Sequence, residues 1–129
     1  MTSPTTTADP QRTAGVYLLL QAAAVLTWWV AVVGSRTVRG WFFPYGGLDP
    51  AFAAFLLPDL AFLVAGSLVV ARARLRGVTA PRASGILLGA MGYATLYTAG
   101  WTLALRAPPA GLVSMAVLAF GTWRACRRP

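Results

Sequence analysis

The sequence predicts an all-α membrane protein, a bundle of four transmembrane helices with both termini in the cytoplasm. Three observations predict it. Of the 129 residues, 57% are hydrophobic and only 11% are charged, whereas an ordinary soluble domain carries about 25% charged residues. The apolar residues gather into four long runs, and nearly all the arginines fall between them or at the chain ends. Three of those runs are apolar almost all round, without the polar face that a soluble helix turns to water. A soluble domain this small has too large a surface for its volume to hide so much apolar area. Lipid accepts that area directly.

Residues 1–13 are polar and rich in Thr and Pro, and are expected to be disordered for want of apolar content. The first span is 14–34, in which Gln21 and Thr27 are the clearly polar members. It is longer than the apolar core of a signal peptide, about 7–15 residues, and no small-x-small site follows it. The second span is 51–71, with Asp49 and Pro50 placed as a helix cap and first-turn proline would be. Pro58 and Asp59 interrupt it. The third span, 83–105, carries no charge and is preceded by Thr79 and Pro81. The fourth, 108–124, opens on Pro108 and Pro109 and is the shortest. It reaches the roughly 17–25 residues of a crossing only if Arg124 snorkels to the headgroups. Residues 14–126 thus read as one membrane domain, and 127–129 as a basic tail. The short connection between spans three and four makes them antiparallel neighbours.

Orientation follows from the arginines. Arg12, Arg72, Arg74, Arg76, Arg82, Arg124, Arg127 and Arg128 lie on one side of such a bundle, and Arg36, Arg39 and Arg106 on the other. The positive-inside rule puts the richer side in the cytoplasm. The net charge of +8 is therefore topological. It points away from nucleic acid, because the arginines are interrupted by long uncharged runs instead of forming one basic face. Anionic lipid is the expected partner of the cytoplasmic arginine clusters. The absence of Lys beside abundant Ala, Gly and Arg suggests a GC-rich bacterial gene, and so the cell membrane as location.

The composition leaves little for catalysis. Without His, the chain lacks the commonest acid–base group and metal ligand, and no cofactor or metal is expected. Cys126 is the only cysteine, so no internal disulfide can form. Of the three carboxylates, Asp9 and Asp49 lie outside the spans and Asp59 lies within one. An intramembrane Asp costs about 2.5–3.5 kcal/mol at insertion, and Leu, Ile, Val and Phe return about 0.3–0.6 kcal/mol each. Residues 51–71 hold enough of these to carry Asp59 into the membrane, where an ionisable residue marks a proton or ligand site. On an α-helix its face holds Phe52, Phe55, Phe62, Leu63 and Gly66. Tyr93 and Tyr97 of the third span are candidate hydrogen-bonding partners at the same depth.

Two further features stand out. Gly85 and Gly89 form a small-x-x-x-small pair, which favours close helix packing, first of all within the bundle. Arg36, Arg39 and Trp41 lie in the outer loop, where an interfacial or re-entrant segment could hold a lipid phosphate between two guanidinium groups. Three functions remain. The first is an accessory, structural or lipid-contacting subunit of a membrane assembly, working with a membrane protein partner or as a homo-oligomer. The second is a small dimeric transporter coupled to protons through Asp59. The third is a lipid-modifying enzyme, for which one carboxylate and a few tyrosines are thin equipment.

Overall fold

The computed structural model describes residues 9–43 and 50–127, with the side chains of 50–53 excepted. Every regular element among them is helical. Helix α1 runs over Pro10–Gly34, and the short α2 over Arg36–Phe42. Helix α3, Pro50–Pro58, continues through a π-helical segment, Asp59–Val64, into α4, Ala65–Leu75. Helices α5, Pro81–Leu105, and α6, Ala110–Arg127, complete the chain. Two stretches, Pro10–Gly34 and Ala54–Leu75, are long and apolar enough to cross a membrane.

Helix α1 begins four residues before the apolar run. The Asp9 side chain accepts from the Gln11 backbone N–H and Pro10 occupies the first turn, a strong local start signal. Pro10–Thr13, expected to be disordered, therefore form a helical turn. The cap expected from Asp49, and the rest of residues 44–49, lie outside the described residues. The interruption at Pro58 takes a definite form. Proline removes a backbone donor and crowds the carbonyl four residues back. The ladder widens there, so that the Ala65 N–H bonds the Leu60 carbonyl five residues earlier.

Helix α4 ends in a Schellman turn. Gly77 sits at φ +68°, its N–H bonds the Arg74 carbonyl, and the Val78 N–H bonds Ala73. Helix α5 ends on Arg106 at φ 50°, directly before Ala107 and Pro108. Helix α6 starts two residues later than the fourth apolar run and continues to Arg127. Arg124 and Arg127 lie over the rings of Phe120 and Trp123, at 5.9 and 4.4 Å.

The four long helical stretches pack in a ring. Helix α1 lies along the π-segment and α4, α4 meets α5, α5 lies along α6, and α6 returns to α1. The core holds Leu18, Val25, Trp29, Leu63, Val70 and Leu87. Outside it, all four stretches expose large apolar side chains: Leu20 and Val30 on α1, Leu57 on α3, Leu96 and Leu103 on α5, Val117 on α6.

Candidate functional site

Asp59 opens the π-segment, and its Oδ2 accepts a hydrogen bond of 3.0 Å from the indole Nε1 of Trp29. Trp29 is buried in the core and Asp59 is half-buried. The bond joins α1 to the middle of the α3–α4 stretch. Tyr93 and Tyr97, the partners expected from depth alone, do not take this place. Tyr93 is largely exposed on α5, and the Tyr97 ring instead meets Phe55 edge-on at 4.2 Å. Phe55 stands one helical turn before Asp59, as expected. Phe62, expected on the same face, is about half exposed while Leu63 is buried. The π-segment explains the change, because each of its turns holds an extra residue and rotates the residues beyond it. The side chain of Phe52 lies outside the described residues.

An aromatic cluster surrounds this end of the bundle. Trp28 meets Trp29 at 4.7 Å and Phe42 at 5.2 Å, both edge-on. Phe55 lies 5.9 Å from Trp101, and Phe43 of the segment after α2 lies 6.2 Å from the same ring. Such edge-to-face pairs contribute about 0.5–1.5 kcal/mol each beyond their buried area. They tie α1, α2, α3 and α5 together.

Helix α2 occupies the stretch expected to be interfacial. Its cap is Ser35, whose Oγ accepts from the Val38 N–H. Arg36 and Trp41 are exposed on it, but Arg39 turns back. Its Nε donates to the Val32 carbonyl at 3.1 Å and its Nη2 to Val33 at 2.7 Å. These are carbonyls of the last turn of α1, where a cation also meets the negative end of the helix dipole. Arg39 thus caps a helix, while Arg36, the other arginine of the expected phosphate clamp, is exposed.

The opposite end carries a polar network that spacing along the chain does not reveal. Gln21 of α1 donates from Nε2 to the Ser67 hydroxyl of α4 at 3.0 Å. Its Oε1 lies 2.8 Å from the Thr122 hydroxyl of α6. That hydroxyl is also 2.8 Å from the Leu118 carbonyl, so its single proton is shared. All three side chains are buried. The signal in the sequence was a polar residue inside each of three apolar runs. Beyond them, Arg74 is buried at the end of α4, giving Nη1 to Gln11 Oε1 at 2.8 Å and Nη2 to the Cys126 carbonyl at 2.9 Å. Counted from the sequence as an ordinary loop charge, Arg74 is instead a buried link between helices.

Glycine placement also differs from expectation. Gly85 and Gly89 are exposed on the outer face of α5, and among the described residues a Cβ at either would meet nothing within 4 Å. The close approaches within the bundle lie elsewhere. A Cβ on Gly15 would stand 2.8 Å from Leu75 Cγ and 3.2 Å from the Ala71 carbonyl, and one on Gly121 would overlap the Tyr17 hydroxyl and ring. Compared with known families, curated proteins and solved structures, the chain has no match in any of the three.

Proposed function

We propose that the chain is a multi-pass protein of the cell membrane, crossing it four times with both termini in the cytoplasm, and that it serves as an accessory or structural subunit of a membrane assembly. The observation that carries this reading is the inverted distribution of side chains. Large apolar residues face outward on all four long helical stretches, and the polar side chains between them bond one another inside. In lipid this arrangement is favourable, since apolar surface costs nothing there and every buried polar group needs a partner. Arginine partition supports the orientation. The exposed face of α5, with Gly85 and Gly89, offers a place where a partner helix or second copy could approach closely. Exposed cytoplasmic arginines, such as Arg12 and Arg72, would contact anionic lipid.

Native mass spectrometry of the protein, gently extracted from its own membrane, tests the subunit reading. A stoichiometric second polypeptide supports it, and a bare monomer refutes it. Topology is tested by Gly40→Cys, at an exposed position of α2 with open space around it. That thiol reacts from outside with an impermeant reagent, and Cys126 does not. Burial pushes the Cys126 thiol pKa up, so its inside location is read from the increase in labelling after permeabilisation at alkaline pH.

A second reading rests on a specific observation, the half-buried Asp59 at the π-segment. Single-turn π-segments interrupt helices most often at functional sites, and an intramembrane carboxylate suits proton coupling. In that reading the chain is a small dimeric proton-coupled transporter. Transport that persists in Asp59→Asn would eliminate it.

A further inference from the structure

We propose that the aromatic end of the bundle binds an apolar organic cation, with Asp59 as its counter-ion and the rings of Phe55, Tyr97 and Trp101 as its wall. This names a substrate class for the transport reading and rests on it only for movement, not for binding. The argument starts with charge. Asp59 has one protein donor, the Trp29 indole on Oδ2, and among the described residues no guanidinium pairs with it. Oδ1 takes no donor from them. Trp29 fixes the carboxylate in place without neutralising it.

A carboxylate held this way in an apolar setting is relieved either by a proton or by a compensating positive charge, and the groups around it decide which cation could supply that charge. Calcium or magnesium is a poor fit, since each takes about six or more oxygen ligands and no cluster of three or more acidic, His or Cys side chains exists among the described residues. An organic cation with a spread charge and an apolar body matches both components. Its charge meets the carboxylate, and its body meets ring faces that attract cations within about 6 Å of their centroids. Phe55 lies one turn from Asp59, and the rings of Tyr97 and Trp101 pack edge-on with it at 4.2 and 5.9 Å. The π-segment that carries Asp59 packs against both α1 and α5. Access is from the side, because Asp59 is only half-buried and Tyr97 and Phe62 are exposed at the bundle surface.

The test uses the full chain in lipid nanodiscs, with tetraphenylphosphonium as probe and triphenylphosphine oxide as its neutral counterpart. Equilibrium dialysis against empty nanodiscs reads saturable binding. The expected result is one saturable site for the cation, a weakening of about tenfold or more in Asp59→Asn, and about threefold in Tyr97→Leu, as for an exposed cation–π contact. Tyr97 is a surface position, so its variant decides the matter if Asp59→Asn does not fold. Uptake no greater than in empty discs would overturn the proposal. So would equal affinity in a folded Asp59→Asn, unchanged affinity in Tyr97→Leu, or equal competition by the neutral compound. A chain that binds the cation saturably but does not move it retains the site and loses only the transport reading.

Discussion

The two ends of the bundle are joined by different chemistry. At the aromatic end, α1, α2, α3 and α5 meet through rings, with one carboxylate held by one indole N–H. At the polar end, α1, α4 and α6 meet through Gln21, Ser67 and Thr122, with Arg74 binding Gln11 and the Cys126 carbonyl beyond them. At the polar end Gln21, Ser67 and Thr122 satisfy one another, and the geometry is fixed by short directed bonds. The aromatic end relies on ring contacts, which tolerate small shifts, and leaves one carboxylate oxygen without a donor among the described residues. A region closed upon itself is suited to holding helices together. One that retains an unmatched group is suited to binding something else.

Four substitutions sharpen or break this contrast. The largest effect belongs to Gly121→Ala, because its new methyl group overlaps Tyr17 at a tightly packed helix crossing. Overpacking of this kind costs about 1–3 kcal/mol, read as a lower unfolding temperature in micelles. Adding Tyr17→Leu should restore part of it. An unaltered melting point would mean that α1 and α6 do not pack so closely. Next comes Gln21→Leu, which removes two interhelical hydrogen bonds at about 0.6 kcal/mol each. Ser67→Ala in the same chain should add little further, since its partner is already gone. Strict additivity would deny that the network is one unit.

A smaller effect, and of opposite sign, is expected for Gly89→Ala. With open space around it, the monomer should gain about 0.5–1 kcal/mol from helix propensity. If the same change dissociates an oligomer, the outer face of α5 is the contact surface. The smallest effect on stability should come from Asp59→Asn, whose amide oxygen can still accept from Trp29. A shift in melting temperature within error, with any proton-coupled activity abolished, places Asp59 in function. Failure to accumulate in the membrane would make it a structural residue, and the two ends would then differ in their bonds but not in their purpose.

The pairings at each end were only partly legible beforehand. Asp59 stood out because a carboxylate in an apolar run is expensive, and that argument needs no neighbour. Its partner was not legible, because depth alone pointed to Tyr93 and Tyr97, and rotation about the helix axis brings Trp29 to the carboxylate instead. The π-segment then moved Phe62 off the face that α-helical periodicity assigned to it. Gln21 was visible as a polar residue in its apolar run, but nothing local linked it to Ser67 or to Thr122, which lies 101 positions beyond it. The glycine pair was read from spacing, which indicates that a helix can be approached closely without saying from which side.

What the sequence by itself determined is the class of the molecule: helical, apolar in long runs, and punctuated by proline, glycine and arginine where helices begin and end. Those features are set by local backbone chemistry and by the balance of apolar to charged residues, so short windows suffice to read them. Tertiary structure decided which faces meet. It turned Gly15 and Gly121 inward and Gly85 and Gly89 outward, gave Asp59 to Trp29, and folded Arg39 back on α1. Apart from the Arg39 contact, which spans only six or seven residues, these choices depend on the rotation and crossing of helices that are distant in the chain.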